Sequence, residues 1–120
     1  HEVIVWGTGK PLREFLHVND LAFACAHIME ISKANFQDIL NSSSPHINIG
    51  SGVEISIKDL AQMIAEVFKF KGKIIYDTSK PDGVARKLVD STKINALGWN
   101  PKVEIYAGLE DTIDWYVNHY

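Results

Sequence analysis

Arg13 and Lys80 are the cations of this sequence whose surroundings best suit chemistry with a bound anion. Arg13 closes the run Gly7-Thr8-Gly9-Lys10-Pro11-Leu12, and Lys80-Pro81-Asp82-Gly83 is followed by Arg86 and Lys87. A guanidinium holds its donors in a planar fork that fits phosphate or carboxylate, whereas an ammonium is a compact point charge on a flexible stem. Glycine and proline on both stretches favour turns. Trp6, just before the first glycine, offers a flat ring that could stack on a base or fill a core. Each stretch also has a plainer reading: Arg13 as an ordinary surface arginine of a short strand, and 80–87 as a solvated, charged turn.

Other chemistry-bearing patterns fail on their context. Tyr76-Asp77-Thr78-Ser79-Lys80 has the Tyr-x-x-x-Lys spacing of short-chain dehydrogenases, but that pair works only from successive turns of one helix. Here Tyr76 ends a strand-like run, and Pro81 pushes Lys80 out of helical geometry. Gly7-Thr8-Gly9 is followed by Leu12 and Gly50-Ser51-Gly52 by Ile55, so neither cluster completes Gly-x-Gly-x-x-Gly and no dinucleotide site is expected. The histidines, His1, His17, His27, His46 and His119, are scattered without metal-ligand spacing. His17 and His46 read as structural or surface groups.

Composition narrows the class. The chain has 120 residues, 46% of them hydrophobic, which suits one small globular domain. The net charge is −3, and no basic run exceeds two residues, so a broad nucleic-acid footprint is not expected. Cys25 is the sole cysteine; it reads as core packing in a reducing compartment. No apolar run approaches the roughly 20 residues of a membrane span, so the expectation is a cytoplasmic protein without membrane contact. The apolar run that begins at Val3, with no start methionine before it, reads as a piece of a larger protein.

The elements that must position these side chains follow from hydrophobic period and punctuation. Residues 3–6 form a β-branched strand, the Gly/Pro turn reverses the chain, and 13–18 run back as a second strand. A helix over 20–32 is expected with Asn19 as its N-cap. Residues 33–45 read as a mobile loop with a helical turn over 36–40, then 46–49 as a short strand and 53–57 as an extended piece. Leu60, Met63, Ile64, Val67 and Phe68 predict a helix over 57–70 capped by Ser56 and stopped by Gly72. Residues 73–76 are a strand, 77–83 a loop, and 91–97 a short helix ended by Gly98. Leu109, Ile113, Tyr116 and Val117 mark one side of a final helix over 104–120. Trp99 and Trp115 read as core or interhelix packing. The result is an α/β layer with three to four helices.

Three stretches together carry a resemblance: 5–18 (Val-Trp-Gly-Thr-Gly-Lys-Pro-Leu-Arg-Glu-Phe-Leu-His-Val), 47–52 (Ile-Asn-Ile-Gly-Ser-Gly), and 77–83 (Asp-Thr-Ser-Lys-Pro-Asp-Gly) with Arg86-Lys87-Leu88 and Asp90. They resemble the GDP-L-fucose synthase family, extended short-chain dehydrogenase/reductases that act as GDP-4-keto-6-deoxy-D-mannose 3,5-epimerase-4-reductases. The likeness extends through Leu97-Gly98-Trp99 and Asp114-Trp115-Tyr116. It implies that residues 1–120 are the smaller C-terminal, GDP-sugar-binding domain and that the Rossmann domain is absent. NADP(H) and the catalytic Ser, Tyr, Lys, Cys and His would all belong to that missing N-terminal domain, so no catalytic role passes to residues here and no metal is implied. By the same likeness Trp6 and Arg13 contact the GDP-sugar, with Arg13 on the diphosphate. Lys80 meets phosphate and Asp82 the ribose or base. The full-length protein would be a homodimer, and this piece alone would be inactive. Asn19 departs from the family, which usually has a second Asp there. The alternatives are the same domain of another nucleotide-sugar epimerase or dehydratase, and a non-catalytic interaction module on a shared fold.

Overall fold

The β-branched run at the start of the chain finds its strand partner far downstream, not across the neighbouring turn. The computed structural model describes residues 1–40 and 46–120. In chain order it contains β1 (Glu2–Trp6), β2 (Leu12–Glu14), α1 (Val18–Glu30), α2 (Lys33–Leu40), β3 (Glu54–Ser56), α3 (Ile57–Val67), β4 (Lys73–Asp77), β5 (Arg86–Lys87), α4 (Thr92–Ala96) and α5 (Ile105–His119). The described residues thus hold five helices, against the three to four expected. The expected mobile segment over 41–45 lies outside the described residues.

The expected hairpin does not form. β1 pairs in parallel with β4, from Glu2↔Lys73 to Trp6↔Asp77, and Gly7 N–H extends the ladder to Asp77 C=O at 2.9 Å. Gly7 (φ +83°) and Gly9 (φ +73°) then swing the chain out of this sheet, which side chains with a Cβ do only under strain. β2 enters a second sheet of order β3-β2-β5, antiparallel to β3 and parallel to β5. Segments 2–14 and 73–87 therefore run side by side, paired in parallel at both ends. The loops between those ends, 7–11 and 78–85, are forced to lie together.

Helix ends follow local chemistry, with three shifts from expectation. α1 starts at Val18 with His17 as its N-cap, His17 Nδ1 accepting from Asn19 N–H at 3.4 Å. Asn19 thus sits inside the first turn, two residues too late to cap. Asp20, 2% exposed, accepts from the backbone N–H groups of Lys102 (3.0 Å) and Val103 (2.9 Å) and so ties α1 to the loop before α5. α3 begins at the expected Ser56, whose Oγ accepts from Asp59 N–H at 3.0 Å. Its end comes early because Lys69 takes φ +52° and Phe70 N–H reaches back to Ala65 C=O at 2.8 Å, a left-handed stop that leaves Gly72 no terminating role. α2 is a full helix where mostly loop was expected; Ser32 Oγ accepts from Asn35 N–H at its start.

Residues 46–49 form no ladder. A strand needs a neighbour, and here side chains hold the segment instead: Asn48 Nδ2 donates to Asp90 C=O and Lys93 Nζ to His46 C=O, each at 3.3 Å. Ile47 and Ile49, with Leu16 and Ile28, pack around a small buried cluster of Ala24, Ile94 and Trp99. The Trp99 expectation is met. Cys25, by contrast, is exposed. Ala24 faces the cluster, and the next residue of a helix points about 100° away. Trp115 is also no core residue: it is 53% exposed and stacks on His119 at 4.7 Å, because two residues past Ile113 a helix has turned about 200°, away from the face that meets α3. Leu109 and Ile113 are half-buried, but Tyr116 and Val117 are exposed.

The molecule measures 56 × 34 × 19 Å, and its radius of gyration of 17.7 Å exceeds the roughly 14 Å of a compact chain of 120 residues. Val3, Ile4, Val18, Phe23 and Met29 leave large apolar areas of β1 and α1 uncovered. Among the described residues no helix is long and apolar enough to cross a membrane.

Candidate functional site

The paired loops bring Trp6, Arg13, Lys80 and Asp82 to one edge of the molecule. Trp6 is 72% exposed at the end of β1, which rules out its core reading. Lys80 Nζ stands over its ring, 5.6 Å from the centroid, a cation–π distance. Lys80 is set by a tight turn in which its N–H donates to Asp77 C=O at 3.2 Å. Tyr76 meanwhile sits in β4 with its ring against Gly9, so Tyr76 and Lys80 share no helix and the Tyr-x-x-x-Lys spacing has no catalytic geometry.

Asp82 crosses to the other loop. Thr8 donates its N–H to Asp82 Oδ1 at 2.7 Å and its hydroxyl to Asp82 Oδ2 at 2.6 Å. The same hydroxyl accepts from Lys10 N–H at 3.2 Å. The Thr8 hydroxyl first, then the Thr8 N–H, hold the Asp82 carboxyl below the usual carboxylate range against the opposing effect of desolvation, and the charge of Lys10 adds the least. Gly7 makes the contact possible, since a Cβ there would run into the Asp82 carboxylate.

Arg13 is pinned by one nitrogen. Its Nη1 donates to Leu12 C=O (2.6 Å) and to Val84 C=O (2.8 Å), joining β2 to the second loop. Gly83 lies so near Nη2 that a Cβ there would sit 3.0 Å from it. Arg86, which the sequence groups with Lys80, is differently engaged. Its Nε and Nη2 meet the Glu54 carboxylate at 2.6–2.9 Å, and the Glu54 hydrogen bonds and charge raise its pKa. Its charge is therefore matched inside the second sheet, whereas Lys80 stands over Trp6 and Arg13 is tied to the loop that carries Lys80.

Sequence reasoning missed Thr8 and Glu14. Glu14 staples three segments, accepting from Gly52 N–H at 2.6 Å and Val89 N–H at 3.2 Å. Nothing in local pattern marks either residue, because their partners are distant in sequence. Elsewhere, His17 and His27 serve the fold: His17 Nε2 lies 3.2 Å from Asp111 Oδ2 and His27 Nε2 lies 2.8 Å from Leu97 O. Among the described residues, His, Cys, Asp and Glu form no group of three or more placed to hold a metal ion.

Two short sheets flanked by helices, with a lysine of one Gly/Pro loop over an exposed ring and an arginine on the adjoining strand β2, define the class, and sequence comparison agrees. The chain belongs to the GDP-mannose 4,6 dehydratase family, whose model matches residues 1–112. Its fold is that of the smaller, C-terminal part of extended short-chain dehydrogenase/reductases.

Within that family it is 51% identical over 118 residues to a putative GDP-L-fucose synthase 2 of Arabidopsis thaliana, covering 98% of this chain and 33% of that protein. The structure of a GDP-6-OMe-4-keto-L-xylo-heptose reductase from Campylobacter jejuni superposes with a TM-score of 0.86 at 37% identity, over 99% of this chain and 34% of that one. A GDP-L-fucose synthetase from Naegleria fowleri bound to NADP gives 0.84 at 29% identity, over 99% and 35%. The chain spans about a third of the length of the curated relatives it matches.

Neither glycine cluster fits a dinucleotide. Gly7 and Gly9 turn the chain from one sheet to another, and Gly52 N–H already donates to Glu14. Neither cluster opens a helix onto a pyrophosphate.

Proposed function

We propose that this chain is the substrate-binding part of a GDP-L-fucose synthase, the enzyme that converts GDP-4-keto-6-deoxy-D-mannose to GDP-L-fucose by 3,5-epimerisation and 4-reduction. The observation that carries the reading is the pairing of loops 7–11 and 78–85, which sets Lys80 over an exposed Trp6 ring and ties Arg13, through Val84 C=O, to the same second loop. A nucleoside diphosphate-sugar needs a flat surface for its base and convergent cations for its phosphates. Trp6 takes the base or sugar face, Arg13 the diphosphate through Nη2, and Lys80 a phosphate oxygen. Asp82 meets the ribose or base with lone pairs that its Thr8 bonds leave free.

The chemistry itself belongs to a Rossmann domain outside residues 1–120, where NADP(H) and the catalytic Ser, Tyr and Lys reside; this chain grips and orients the substrate. The exposed apolar faces of β1 and α1 and the elongated shape support such a neighbouring domain, since patches of this kind on soluble proteins mark interfaces. The full-length enzyme is a cytoplasmic homodimer that takes neither metal nor nucleic acid, and the chain alone is inactive. A second reading, reductase of a different GDP-sugar, draws on the Campylobacter heptose reductase neighbour.

Binding of GDP-fucose to the full-length protein, measured calorimetrically, tests the site. Arg13→Ala is expected to weaken it about 10- to 100-fold, the worth of charge-assisted hydrogen bonds to a phosphate. Equal affinity in the variant overturns the assignment. Competition among GDP-, UDP- and dTDP-sugars, and turnover of 4-keto hexose against heptose substrates, separates the two readings.

A further inference from the structure

Thr8 lies between two glycines, touches no group assigned to substrate except Asp82, and engages both oxygens of that carboxylate. Pro81 separates Asp82 from Lys80, with its own φ fixed and the backbone of Lys80 before it restricted. An anchor on Asp82 therefore limits where Lys80 can go. On the other loop, Lys10 N–H donates to the Thr8 hydroxyl, which orients its proton towards Asp82. Gly7, whose φ of +83° and missing Cβ admit the carboxylate, completes the fit. Leu12 N–H to Ala85 C=O and Arg13 Nη1 to Val84 C=O fasten the far end of the loop, leaving its tip to be held by Thr8.

We propose that Thr8 is a positioning residue: its hydroxyl and N–H latch Asp82, hold loop 78–85 closed, and keep Lys80 over Trp6 at the nucleotide-diphosphate site. This rests on the GDP-sugar reading above. Without the latch the loop tip samples open forms, and substrate affinity falls by the fraction of time the loop is closed. The lowered pKa of Asp82 agrees with the same two bonds.

The test compares wild type, Thr8→Val, Thr8→Ser and Arg13→Ala in the full-length enzyme, reading kcat and KM for the GDP-4-keto sugar and amide hydrogen exchange over 78–85. Thr8→Val keeps the backbone N–H and deletes the hydroxyl. It is expected to raise KM about three- to tenfold with kcat little changed, and to speed exchange of those amides. Thr8→Ser, which restores the hydroxyl, is expected to recover both. If Arg13→Ala raises KM while Thr8→Val leaves KM and exchange unchanged, the latch is wrong and the site reading stands. Faster exchange without a KM change, or a serine variant that behaves like valine, also overturns it. If Arg13→Ala leaves KM unchanged, the site reading fails and takes the latch with it.

Discussion

At the scale of single residues, function at this edge depends on groups that are small or already bonded. Gly7 is the clearest case. Its backbone needs φ +83°, and a Cβ would collide with the Asp82 carboxylate. Gly7→Ala is therefore expected to cost about 1–3 kcal/mol through backbone strain and to displace Asp82 from Thr8, seen as a lower unfolding midpoint together with a raised KM for the GDP-sugar. Arg13 and Lys80 are recognisable from sequence as cations on turns. That Arg86, equally basic and only a few residues further on, is bound to Glu54 could not be read locally, because charge pairing depends on which strands meet.

At the scale of elements, one of the two expected N-caps was kept. Ser56 begins α3 where the sequence places it, because an N-cap is a contact between residues three apart. Ser56→Ala is expected to lower stability by about 1 kcal/mol in a urea titration. α1 shows how narrow such a signal is: Asn19 has the right chemistry, but His17 takes the cap and Asn19 falls in the first turn. Strands were harder. A Gly/Pro turn between two extended runs suits a hairpin equally well as a crossover, and parallel pairing with β4 and β5 decided for the crossover.

At the scale of the whole molecule, the buried core is small for the chain length, with Ala24, Ile94 and Trp99 at its centre. Ile94 is fully buried, so Ile94→Ala is expected to cost about 2–5 kcal/mol, measured as a shift in the denaturation midpoint. A loss that large is a substantial share of the stability of any domain this size. The uncovered faces of β1 and α1 belong to the same picture: apolar residues placed with helical and strand periods, as in a core, but left exposed by the described residues.

Sequence by itself determined the features that depend on near neighbours: an α/β layer, the α3 cap, the Gly98 stop of α4, and the two cation-bearing turns. Their causes are caps, periodicity and the φ freedom of glycine, all of which act over a few residues. Tertiary structure alone decided that 46–49 is not a strand, that Cys25 and Trp115 face outward, and that Trp6 is exposed. It also joined Thr8 to Asp82, residues 74 apart in the chain. Such contacts arise only after distant strands pair, and the energy that selects the pairing is spread over two ladders and not written in either loop.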